Sequence, residues 1–163
     1  MPATFEPIAT TTLGSAASTI TFSSIPGTYT DLRLVIVGSG DTTALLYFYY
    51  NSDTGTNYSN TRLTGDGSTA ASARQTGIAY NRARQSTNSS NPSLNEIDIF
   101  SYAGSTNKTC LITSSNDQNG SGDVYKVVSL WRSTAAITSI TLLPSSGNFN
   151  SGTTATLYGI KAA

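Results

Sequence analysis

Asp117, Asn119, Ser121 and Asp123 fall at alternate positions of the stretch SSNDQNGSGD, the arrangement by which an oxygen-donor loop wraps a hard cation. The pattern then fails. The position that should supply a bidentate glutamate is Val128, and the flanks have strand rather than helix composition. The stretch therefore reads as a polar hairpin loop, with a calcium loop as the alternative, and no metal ligands are assigned. A second candidate is Gly38-Ser39-Gly40-Asp41, directly after the apolar run LRLVIV. A dinucleotide fingerprint needs a helix N-terminus to receive the pyrophosphate. The next residues are TTALLYFYY, β-branched and aromatic, so the expectation is a β-hairpin corner and no cofactor.

The chain has no histidine and a single cysteine, which removes His-based triads and the commonest zinc sites together. Cys110 alternates with Ile112 along one strand and reads as a buried, inert thiol. The nine carboxylates mostly sit in turns or at strand edges, and no pair has a spacing that demands acid–base work. No catalytic residue is assigned, and no enzymatic activity is expected.

Binding chemistry is easier to find. Between Arg62 and Arg84 four arginines face a single carboxylate, Asp66. Arg74, Arg82 and Arg84, with Ile78 and Tyr80 among them in a Ser/Thr background, have the composition of a protein interface, since Arg and Tyr give large contacts of defined geometry. A solvated loop that uses arginine for solubility is the competing reading. A second cluster is Tyr47, Phe48, Tyr49 and Tyr50. Successive strand residues face opposite ways, so Tyr47 and Tyr49 share one face and Phe48 and Tyr50 the other. One pair belongs to the core. The other could be a sugar platform, a subunit contact or a second packed layer. Trp131 reads as a core residue at a strand end.

The elements that position these groups are strands. Alternation recurs along the whole chain, with Gly, Pro, Asn and Ser as punctuation, and it predicts about ten strands near 5–12, 17–23, 31–37, 43–51, 57–63, 94–102, 108–114, 124–132, 136–143 and 153–161. Leu32 to Val37 and Leu45 to Tyr50 are apolar on both faces, as central strands are. At 163 residues this predicts one all-β domain, an antiparallel β-sandwich of jelly-roll type. Residues 64–92 break the rhythm and are expected to form a long polar, Arg-containing loop, with at most a short helical turn around Ala70 to Arg74.

Bulk composition narrows the partners. Net charge is zero and only 11% of residues are charged, which disfavours nucleic acid and acidic lipid. Ser, Thr and Asn supply 62 of the 163 residues, and solubility rests on them. The start MPATFEPIA lacks a signal-peptide pattern, and no apolar run approaches the roughly 20 residues of a membrane span.

The block EPIATTTLGSAASTITFSSIPGTYTDLRLVI and the block AITSITLLPSSGNFNSGTTATLYGIKA together resemble small structural proteins of tailed bacteriophages, including cyanophages. The resemblance covers about a third of the chain. It implies a β-sandwich located in the virion after assembly in the host cytoplasm: a capsid decoration (cement) protein, a head fibre or a tail appendage. The implied partners are capsid or other virion proteins, and decoration proteins suggest by analogy a homotrimer. The rival expectation is a carbohydrate-binding appendage that recognises host glycans.

Overall fold

The computed structural model describes residues 4–84 and 91–161. Twelve strands are found among them, arranged in two antiparallel sheets around one core, and no helix. The protein is an antiparallel β-sandwich.

The larger sheet has eight strands in the order β1 (Phe5–Thr12), β12 (Thr154–Ile160), β3 (Asp31–Gly38), β8 (Ser93–Phe100), β9 (Lys108–Asp117), β10 (Gly122–Trp131), β5 (Tyr58–Gly65) and β6 (Ala70–Ile78). The smaller sheet has four, in the order β2 (Ile20–Phe22), β11 (Ile140–Pro144), β4 (Leu45–Tyr50) and β7 (Asn81–Arg84). This eight-plus-four division differs from the two four-stranded sheets of a simple jelly roll.

The period-2 pattern places the core. Leu32, Leu34 and Ile36 of β3, Ile97 and Ile99 of β8 and Cys110 and Ile112 of β9 point inward from the large sheet and meet Leu46, Phe48 and Tyr50 of β4 and Ile140 and Leu142 of β11. Both strands read as apolar on two faces are interior ones: β3 lies between β12 and β8, and β4 between β11 and β7. Polar groups are buried in two places: Asn95, Ser114 and Asn116 lie toward the β9–β10 hairpin tip, while Ser129 and Asn60 lie in the row of Ile99 and Cys110, on the other side of Ile112 and Val127. Asn81 of β7 is buried as well.

Three expectations need correction. Residues 64–92 are not one long loop: β6 and β7 lie within them, and residues 85–90 fall outside the described set. The Ala70–Arg74 stretch is extended rather than helical, because it pairs along β5 from Gly65↔Ala70 to Thr61↔Arg74. The segment after Gly38 is not a hairpin corner either. β3 and β4 belong to different sheets, so the chain crosses the sandwich there. Gly38 is required in this crossing, since a Cβ on it would sit 2.4 Å from the Thr153 side chain. Asp41 fastens the crossing by accepting from the backbone N–H of Asn148 at 2.8 Å and from its side-chain amide at 3.0 Å.

Candidate functional site

Two outward surfaces are open to partners, and the carboxylates show how the rest of the molecule is held. Glu6 pairs with Lys161 at 2.8 Å, and Asp98 pairs with Arg33 at 2.6 Å. Asp31 accepts from the Ser101 N–H, Asp41 from Asn148, and Asp53 from Gly55, Asn57 and Trp131. Asp66 accepts from the N–H and the hydroxyl of both Ser68 and Thr69, Asp117 from the Asn119 N–H, and Asp123 from Arg84. Eight of the nine carboxylates thus fasten turns or bridge strands; Glu96 is the ninth.

These contacts leave an electrostatic signature. The ammonium of Lys161 holds Glu6 below the usual carboxylate range, and N–H donors from Asn148 do the same for Asp41. Burial opposes ionisation of Asp53, but bonds from Trp131, Asn57 and Gly55 outweigh it and keep that carboxyl lowered. Donors from Thr69 and Ser68 hold Asp66 far below its ordinary value. A carboxylate depressed in the folded state contributes stability above its unfolded pKa near 4 and loses it as pH falls through that range. With no histidine to titrate, the melting temperature is expected to stay level from about pH 5 to 8 and to drop below about pH 4. Calorimetry across pH 2 to 8 checks this; a transition centred near pH 6.5 would contradict it.

The suspected cation loop folds as a hairpin tip. Gln118 N–H donates to Ser121 O at 2.7 Å, and Asn119 and Gly120 have φ of 56° and 118°, the left-handed pair of a type I′ turn. Asp123 is engaged at both oxygens by Arg84, at 3.0 and 2.9 Å. Cys110 is buried in β9, and that burial pushes its thiol up to about 12, as an inert sulfhydryl requires.

The five residues of the arginine-bearing segment separate into four groups. Ile78 packs against the core beside Tyr58. Arg84 spans the sandwich from β7 to Asp123 of β10 and lies 5.7 Å from the Tyr125 ring centre, so it holds the fold together. Arg74 is exposed on β6, on the outer face of the large sheet. Tyr80 and Arg82 come together on the outer face of the small sheet. There the Tyr80 ring stacks on Tyr47 at 3.7 Å and 16°, and Arg82 is the register partner of Tyr47. Phe48 and Tyr50 are the core pair of that strand, while Tyr47 and Tyr49 face outward and are half-buried. Arg82 donates from Nη1 to Gln75 at 3.2 Å, and its Nε is buried without a partner among the described residues.

The other surface is the outer face of the large sheet, which no motif in the sequence singles out. Val37, Leu63, Leu94, Val124 and Val128 are 43, 58, 39, 61 and 47% exposed. A signal was present in VYKVVSLW, where Val127 and Trp131 have one parity and Val124 and Val128 the other, so both faces of β10 are apolar. A depression of about 360 Å³ opens on this face between Leu63, Gly65 and Val124. A larger groove of about 770 Å³ runs beside it at the sheet end, bordered by Asp66, Leu94, Asn116 and Asp123. No protein-family model, curated protein or solved structure matches this chain.

Proposed function

We propose that the protein is a structural component of a phage virion, a rigid slab that decorates the capsid by adhering to neighbouring virion proteins. The observation that carries this reading is the commitment of eight carboxylates to fastening the sandwich, which leaves broad sheet faces as what the molecule offers to others. The Tyr47, Tyr80 and Arg82 face is the proposed contact with the lattice. Its rings are stacked and preorganised, and Arg82 lies beside them as the register partner of Tyr47. Repetition over many copies would turn a weak single contact into a lasting one.

Gold labelling of intact particles tests the role, with many copies spread over the head as the expected result; unlabelled particles would refute it. Arg82→Ala removes one part-buried bond, to Gln75, and is expected to keep the melting curve nearly unchanged while lowering particle occupancy. Full occupancy in that variant would move the contact elsewhere. Arg84→Ala is unsuited to this purpose, because it also breaks the bridge to Asp123. The second reading, a glycan-binding appendage, is favoured by the half-exposed Tyr80–Tyr47 stack, on which a sugar ring could lie. Glycan-array binding abolished by Tyr80→Ala would establish it in place of the first.

A further inference from the structure

We infer that the outer face of the eight-stranded sheet is a self-complementary interface through which two copies of this chain pack face to face about a twofold axis along β9. The pairing register sets the outward residues of this sheet in rows that cross the strands. One row runs Val37, Leu94, Ser115, Val124, Gly65, and the next runs Val35, Glu96, Thr113, Lys126, Leu63. Ser115 and Thr113, both on β9, are the midpoints.

A half-turn about β9, with the axis lying in the interface, exchanges β8 with β10 and β3 with β5. In the second row Glu96 then faces the partner's Lys126, and Lys126 faces the partner's Glu96. Opposite charges meet twice, with Thr113 between them. Lys126 already leans toward that axis, since its ammonium donates to Thr113 Oγ1 at 2.7 Å. Glu96 is the one carboxylate with neither a hydrogen bond nor an ion pair among the described residues; within the monomer it acts on Arg33 only through its charge, so the proposed contact uses a carboxylate whose oxygens are still open.

Apolar groups match under the same operation. Leu94 faces the partner's Val124, and Val35 faces the partner's Leu63. Val37, 43% exposed, is brought over the partner's Gly65, where the missing side chain leaves the 360 Å³ depression walled by Leu63 and Val124. A projecting side chain meets a hollow of suitable chemistry on both sides of the axis. Any other strand as axis would break these pairings; a half-turn about β8, for example, exchanges β10 with β12 and sets Lys126 opposite Thr156.

Size is adequate. Five strands at about 4.8 Å and three outward positions at about 6.8 Å give a footprint of roughly 500 Å² per copy. The pair reaches roughly 1,000 Å², the lower bound for a specific interface and the range of a reversible dimer. The Arg33–Asp98 ion pair lies in the third row, at the rim of this footprint, where the half-turn brings Arg33 to the partner's Thr61 and Asp98 to the partner's Val128. This inference goes beyond the virion reading and stands without it.

Sedimentation equilibrium of the purified full chain tests it. The wild type is expected to show twice the 17.0 kDa chain mass at about 100 μM. Glu96→Lys and Lys126→Glu, each alone, set like charges opposite each other twice and are expected to weaken dimerisation by at least about tenfold. The double swap Glu96→Lys with Lys126→Glu reverses both partners and is expected to restore the wild-type constant. Urea unfolding of each variant confirms an intact fold. A wild type that sediments as monomer or trimer, or a folded double swap that stays monomeric, would overturn the proposal.

Discussion

Trp131→Ala is expected to destabilise the sandwich by about 3–5 kcal/mol, the range for deleting a large ring from a packed core. For a domain of this size that lowers the melting temperature by roughly 10 °C or more. Trp131 is 3% exposed at the end of β10; its ring stacks on Tyr58 at 6.2 Å and 14° and tilts against Tyr50 at 5.4 Å. The cluster is also wired to the turn after β4. Trp131 Nε1 donates to Asp53 Oδ2 at 2.6 Å, Tyr58 Oη donates to the Asp53 carbonyl at 3.1 Å, and the Tyr50 N–H donates to Tyr58 Oη at 3.1 Å. Removing the indole opens a cavity and also frees the Asp53 turn. Trp131→Phe keeps most of the ring and loses the bond to the carboxylate, so it should cost only about 1.5–3 kcal/mol. Urea unfolding of the two variants separates the contributions, and equal losses would show that the ring itself packs against nothing of consequence.

Asn51→Ala is expected to cost about 2–4 kcal/mol. Tyr50 to Asp53 form a type I′ turn closed by the Asp53 N–H on Tyr50 O at 2.8 Å, with φ of 50° at Asn51 and 57° at Ser52. Asparagine tolerates that backbone better than alanine does. Its side chain also sews the turn to the segment before β11. Oδ1 accepts from the Thr138 N–H at 2.8 Å, the Ser139 N–H at 3.1 Å and the Thr138 hydroxyl at 3.2 Å, while Nδ2 donates to Ala136 O at 2.7 Å. Two substitutions divide the cost. Asn51→Asp retains the three acceptor bonds, and Asn51→Gly relieves only the backbone. Stability should fall in the order wild type, Asp, Gly, Ala; a glycine variant as stable as the wild type would assign the whole effect to φ.

Most strands were legible because most bury one apolar face, and alternation reports burial directly. β8 and β12 show this: Ile97 and Ile99 alternate with Glu96 and Asp98, and Ala155 and Leu157 with Thr154 and Thr156. β6 and β7 were missed for the opposite reason. β6 is a sheet edge with largely exposed Ala, Ser, Arg and Thr, so nothing apolar marks its inner parity. The inward residues of β7 are Asn81 and Ala83, one polar and one small, and both are buried. A strand that buries amides and small groups gives no hydropathy signal. The sheet-to-sheet crossing after Gly38 was misread as a hairpin because turn chemistry is the same whether the chain returns beside itself or passes to the other layer. The interface residues suffered similarly. Arg74, Ile78, Tyr80, Arg82 and Arg84 are near one another in sequence, yet strand parity and the two-layer arrangement send them to different surfaces.

The first and last strands described, β1 and β12, lie side by side. Phe5 pairs with Ile160, and the Lys161 N–H donates to Thr4 O at 3.0 Å. The chain must close nearly its full length to make that ladder, the slowest kind of pairing to find. Splicing residues 4 and 161 through a short linker and opening new ends at the Asn119-Gly120 tip would turn this ladder into a local one. Such a circular permutant keeps both sheets, moves the long closure to β9 and β10, and should assemble with a different first step. The same adjacency makes that corner a natural seam for grafting a foreign peptide, since cargo placed there leaves both broad faces clear.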